Sequence, residues 1–184
     1  MKQKIQQAFI HLLETHPLHE ITIKQIAAGA NIHRATFYVY FSSRDELYET
    51  LVEDLLFDLE KAIQPAPTLT FEEIKQLYIQ KGAPLEEAML FLKHIHQNNA
   101  LYQILLKDIY FQQRFSKVIS DGILQGNILP DLYTQHMAYG AIGLVMAWLQ
   151  FPEKYSQYAI AQYLTRTIVH SILDFQLEIT NSTI

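Results

Sequence analysis

Residues 22–47, TIKQIAAGANIHRATFYVYFSSRDEL, form the one stretch in which residue types and spacing together suggest a binding chemistry. A helix from about His33 to Phe41 would show Arg34, Ala35, Tyr38 and Val39 on one outward side. Phe37 and Phe41, four residues apart, take the opposite side and bury together. Such a helix needs a rigid support beneath it. Thr22 offers an N-cap hydroxyl to a shorter preceding helix, and Ile23, Ile26 and Ala27 give that helix a small apolar face. Gly29, Ala30 and Asn31 end it, because Gly and Asn accept a left-handed turn at little cost, and Ile32 plugs the turn. Two short helices joined by a tight turn, the second with a polar outer face, follow the helix-turn-helix plan. In that plan the second helix enters the DNA major groove and the first lies across the backbone.

The run IAAGANIHRATFYVYFSSRDELY resembles the signature of the TetR (tetracycline-repressor-like) family of transcription regulators. The match is carried by Ile26-Ala27, the Ala30-Asn31-Ile32 turn, Thr36-Phe37-Tyr38, Tyr40-Phe41, and Arg44 with Leu47, and it covers the first fifty residues or so. The resemblance implies that Tyr38, Tyr40 and Arg44 hold phosphates. It also implies that Lys24, Arg34, Ala35 and Thr36 lie at or near base edges, with His33 at the start of the recognition helix. Three positions depart from the family pattern. Asn31 stands where Gly is usual, His33 where Ser or Thr caps the helix, and Arg44 where Lys is usual. Asn still tolerates positive φ, and the Arg fork suits phosphate. His33 is the poorer cap.

Charge by itself does not point to DNA. The chain carries a net −5, and residues 1–50 are neutral, with five basic side chains (Lys2, Lys4, Lys24, Arg34, Arg44) against five acidic ones. A protein that coats DNA without sequence preference should be strongly basic. The mode this charge allows is a site-specific dimer with few phosphate contacts and a shallow salt dependence. An apolar content of 49% excludes a disordered chain. With no cysteine there is no disulfide framework and no thiol chemistry, which fits a reducing cytoplasm. The opening MKQKIQQAFIHLLETH has polar residues throughout and does not read as a secretory signal. Leu132 to Pro152 lacks Asp, Glu, Lys and Arg, but its purely apolar centre, Met137 to Leu149, suits a buried helix better than a bilayer span.

Taken in order, the chain reads as all-α: an N-terminal three-helix helix-turn-helix DNA-binding domain, residues 1–46, followed by a helical-bundle ligand-binding and dimerisation domain, residues 47–184. A first helix over 3–15 presents Ile5, Ala8, Phe9, Leu12 and Leu13, and Pro17 closes it. His16 and His19 beside that proline read as solvated loop residues rather than metal ligands. Ser42 or Ser43 caps a long helix to about Ile63, with Leu47, Leu51, Leu55 and Leu59 at i+4 spacing. Its acidic residues, Asp54 and Asp58 among them, read as a solvated face. Gln64 to Thr68 is the clearest break. Helices are expected over 71–81, 85–97 with Pro84 in a first turn, and 99–125, the last ending at Gly126-Asn127 with a second break near Ile109 to Gln113. Two long helices follow, near 131–151 and 154–178. Tyr139, Ile142, Gly143 and Met146 stripe the first; Ile160, Leu164, Ile168, Ile172 and Phe175 stripe the second. Gly140 and Gly143 would let another helix approach, so an isologous dimer through these last two helices is the economical solution. Tyr139 to Gly143 with Trp148-Leu149 also resembles the C-terminal domain of a Firmicutes-type branch of the same family.

No Walker loop, GxSxG, HExxH, paired ExxH or CxxC motif occurs, so no enzyme chemistry, cofactor or metal is expected. Family resemblance places an effector pocket in the C-terminal domain, and His94, Tyr102, Tyr139 and Trp148 are its candidate lining, since ligand sites are apolar with a few polar groups. The reading is a cytoplasmic homodimer, in the family's commoner outcome a repressor, that binds a palindromic duplex operator and answers to an unidentified small molecule. The rival is a co-regulator acting through a protein partner; retention of Lys24, Arg34, Tyr38, Tyr40 and Arg44 together argues against it.

Overall fold

The computed structural model of the chain describes residues 1–63, 73, 76, 82–124 and 131–182, with residues 123, 124, 131 and 172–182 described as helix path alone. Among the described residues the regular elements are all helical. By contact the chain divides into two compact units, Met1–Phe57 and Asp58–Ile184.

In the first unit, α1 (Lys2–Thr15) buries Ile5, Phe9 and Leu13, one residue per turn on a single face. A single 3-10 turn, Leu18–Glu20, follows Pro17. Then come α2 (Ile23–Gly29), α3 (Arg34–Tyr40) and the start of α4 (Arg44–Ala62). Ile5, Phe9, Ile21, Ile26, Phe37, Phe41, Leu47 and Leu51 make the core. Each such side chain contributes roughly 1.5–3 kcal/mol when fully buried. Helix α2 lies so close on α1 that a Cβ at Gly29 would stand 3.3 Å from the Ala8 Cβ. Asp54 of α4 accepts from Gln6 at 2.9 Å and pairs with Lys2 at 3.4 Å, so this carboxylate fastens α4 to α1. By contact this compact unit runs to Phe57. Phe37 and Phe41 need the first turns of α4, with Leu47 and Leu51, to close the core over them.

The second unit holds α5 (Glu86–Gln97), α6 (Asn99–Leu105), α7 (Ile109–Leu124), α8 (Asp131–Gln150) and α9 (Gln157–Ser182). Helices α7 and α9 both pack on α8, α5 packs on α9, and α6 bridges α5 and α8. Pro84 lies outside the first turn of α5. Leu85 takes the N-cap, and its backbone N–H donates to Thr165 Oγ1 of α9 at 2.9 Å. The helix expected over 99–125 is broken at residues 106–108, because Asp108 starts a new one by accepting the Tyr110 N–H on its carboxylate at 2.9 Å. Ser156 caps the last helix in the same manner and delays its start to Gln157. The expected stripes need correction. Ile142, Ile160 and Leu164 are buried inside this unit, whereas Tyr139, Gly143 and Met146 remain exposed. The break at Gln64 to Thr68, the continuous helix over 71–81, the helix end at Gly126-Asn127 and the side chains of Ile172 and Phe175 lie outside the described residues. Among the described residues, no helix is long and apolar enough to cross a membrane.

Candidate functional site

The geometry of α2, the turn and α3 follows from a few local bonds. Thr22 and Gln25 form a capping box: Thr22 Oγ1 accepts the Gln25 N–H at 3.3 Å, and Gln25 Oε1 accepts the Thr22 N–H at 2.8 Å. At the other end Ala30 N–H donates to Ile26 O at 2.9 Å and Ile32 N–H to Ala27 O at 2.9 Å. This closure puts Asn31 at φ +54°, the left-handed position for which Asn or Gly is suited. His33 enters α3 in extended conformation and makes no side-chain cap bond, as its type leads one to expect.

Helix α3 has one buried side. Phe37 is fully buried, with the Tyr38 ring edge-on at 5.7 Å and Phe41 at 5.8 Å. The outward side is open: Val39 is 77% exposed, Tyr38 49% and Tyr40 42%. Arg34 and Ala35 are exposed, as are His33 and Lys24, while Thr36 is half-buried. Arg34 Nη2 donates to the Tyr38 hydroxyl at 3.3 Å, so the two polar groups are held side by side.

Arg44 stands apart. Its Nε and Nη2 donate to Asp45 Oδ1 at 2.9 and 2.7 Å, and its Nη1 donates to the carbonyls of His19 and Ile21 at 3.2 and 3.3 Å. The guanidinium thus fastens the start of α4 to the segment before α2, leaving one of its five donors for any phosphate. Sequence reasoning missed the role of Glu46. Its carboxylate accepts both the Ser42 hydroxyl and the Ser42 N–H, while its own N–H donates to Ser43 Oγ at 3.0 Å. The Ser42 hydroxyl, and after it the Ser42 N–H, holds the Glu46 carboxyl below its ordinary value. This lock sets the path from Tyr40 into α4. The Ser43-x-x-Glu46 pattern was its available signal.

In the second unit His94 and Tyr102 meet edge to face at 5.8 Å. Tyr102 is also 5.3 Å from Phe115 and 6.1 Å from Phe111, and Phe91 stacks on Phe115 at 6.0 Å. The Tyr102 hydroxyl is buried and has no hydrogen-bond partner among the described residues. Burial pushes its phenol above the ordinary value, so the group remains a neutral donor. The other two candidates do not join this cluster. Trp148 stacks on His96 at 6.1 Å and donates from Nε1 to Tyr155 O at 3.2 Å; Tyr139 is 43% exposed. Nine residues apart on α8, Tyr139 and Trp148 point to opposite sides of one helix. The i, i+4 pair Phe111 and Phe115 was the sequence signal for the cluster's missing wall.

A capped support helix, a left-handed turn and a second helix with an open polar face define the first unit as a helix-turn-helix DNA-binding head. Residues 7–51 match the family model described as bacterial regulatory proteins, tetR family. An uncharacterized HTH-type transcriptional regulator of Bacillus subtilis, YxbF, is 24% identical over 166 residues, which is 86% of this chain and 42% of that protein. The HTH-type regulator EthR of Mycobacterium tuberculosis is 39% identical over 54 residues, 29% of this chain and 25% of that protein. The chain therefore spans less than half the length of these two relatives. A crystal structure of a TetR transcriptional regulator from Streptococcus agalactiae superimposes with a TM-score of 0.65 at 26% identity, covering 91% of this chain and 92% of that one. Residues 7–51 thus carry a DNA-binding domain of TetR type, and over most of its length the chain resembles TetR-family transcription regulators.

Proposed function

We propose that the chain is a cytoplasmic, homodimeric repressor that places one α3 per half-site in successive major grooves of a palindromic operator. The observation that carries this is the outward face of α3, with Arg34, Ala35, Tyr38 and Val39 set opposite the buried Phe37. Lys24, His33, Thr36 and Tyr40 flank that face, and Arg44 acts chiefly by holding the head together. Dimerisation is supported by α8, where Leu132, Tyr139 and Met146 are exposed and a Cβ at Gly140 or Gly143 would meet nothing within 4 Å. Nothing within the unit demands glycine there, whereas a second helix packed closely would. The Tyr102 and His94 cluster is the place for an effector: an apolar molecule carrying one hydrogen-bond acceptor would satisfy the buried hydroxyl. Its leverage over DNA binding equals its differential affinity for the DNA-competent and incompetent states.

Two substitutions test the docking. Tyr38→Phe removes a phosphate donor while keeping the ring, and should weaken binding to all duplexes alike. Arg34→Ala should change which sequence is preferred. If both leave affinity and preference intact, the docking is wrong. The absence of a basic excess in the head and the internal engagement of Arg44 favour the second reading, a regulator acting through a protein partner, in that event.

A further inference from the structure

Helix α3 has an apolar apex. At about 100° per residue, the line opposite Phe37 falls midway between Ala35 and Val39. These are the side chains that reach farthest from the core, and Val39, 77% exposed, is more open than Tyr38 or Tyr40. Polar groups occupy the flanks instead: Arg34 hydrogen-bonded to Tyr38 on one side, Thr36 and Tyr40 on the other. Resting on the reading that α3 enters the major groove, we propose that Val39, with Ala35 beside it, reads the 5-methyl group of thymine at the centre of each half-site. The Tyr38 and Tyr40 hydroxyls on the flanks then face sugar and phosphate, while Arg34 keeps a neighbouring base edge.

The chemistry selects thymine twice. Its methyl is the apolar feature of the major-groove base edges, and a valine packed against it buries both from water. A guanine or cytosine edge at the same place would lose hydration to a side chain with no donor or acceptor, which disfavours those bases. Because this contact uses no charge, it also suits a head in which basic residues do not outnumber acidic ones.

The test is a cycle of protein and base substitution. An operator is first selected from a random duplex pool with the full chain, and its half-site thymines are then replaced one at a time by deoxyuridine, which deletes only the methyl. The expected result is a loss of roughly fourfold in affinity at one or two positions per half-site, the worth of one buried methyl-sized group. Val39→Ala, which removes the contact from both half-sites at once, should lose about the square of that against the thymine operator and show no further loss with deoxyuridine. Melting of Val39→Ala should match the parent, since the side chain is exposed. The inference is overturned if deoxyuridine has no effect on the parent, or if the loss is equal in parent and Val39→Ala. It is also overturned by a half-site without central thymine. A pool from which no duplex is enriched sinks the DNA-binding reading itself, and this inference with it.

Discussion

Tyr102→Phe should make the protein more stable. The ring sits among Phe115, Phe111 and His94 at 5.3 to 6.1 Å, and phenylalanine keeps those contacts. What the substitution removes is a hydroxyl buried with no partner among the described residues. Leaving such a group unsatisfied costs about 1–3 kcal/mol, so its removal should recover an amount of that order. In urea, with a slope of about 1–3 kcal/mol per molar, the midpoint should rise by roughly 0.5–1 M with the slope unchanged. Protein concentration is held fixed, because dimerisation would otherwise shift the midpoint. Alkaline pH supplies a second readout. Burial raises the folded phenol above its unfolded value near 10, so above about pH 10 the unfolded chain binds fewer protons than the folded one. This group's contribution is therefore present below pH 10 and falls as pH rises, by up to about 1.4 kcal/mol per unit, and Tyr102→Phe should lack that part of the slope. A variant that melts earlier, or that retains the whole alkaline slope, would show that the hydroxyl is bonded in solution and refute the reasoning. The same variant should keep operator binding while losing its response to effector.

Three further outcomes follow from the DNA-binding head. Asn31→Val places a β-branched side chain at φ +54° and should destabilise the chain by about 1–2 kcal/mol or more in thermal melts, while Asn31→Gly should be neutral or better. His33→Ser adds the missing cap to α3 and should gain about 1 kcal/mol in the same assay. Glu46, whose folded value is lowered from 4.5, contributes stability that is present above that pH and is lost as pH falls through its lowered value. A fluorescence probe on the head should report this acid loss, and Glu46→Gln should remove that pH dependence.

The DNA-binding head was the more legible half in the sequence because its constraints are local. Thr22 and Gln25, Asn31, Phe37 and Phe41 each specify a cap, a turn or a pair within four residues, and local bonds of this kind survive in a one-dimensional reading. Arg44 was not legible in the same way. Its type and position suit a phosphate, but its partners are carbonyls of His19 and Ile21, more than twenty residues back. Glu46 was overlooked although Ser43-x-x-Glu46 carried the pattern. In the C-terminal half the apolar stripes marked the two last long helices but not their facing. Tyr139 and Ile142 read as one stripe and stand only about 60° apart around the helix, yet the edge of the buried face falls between them. The aromatic cluster likewise joined three helices, α5, α6 and α7, whose packing no single period encodes. The break at residues 106–108 turned on one Asp carboxylate competing with the backbone for an N–H.

The most direct measurement of the central claim is selection of bound duplexes from a random pool by the full chain at about 0.1 M salt. Specific dimer binding predicts an enriched palindrome whose half-site centres lie one helical turn, about 10 base pairs, or a multiple of that apart. No enrichment by a folded, dimeric protein, or an enriched site without two-fold repetition, would contradict it.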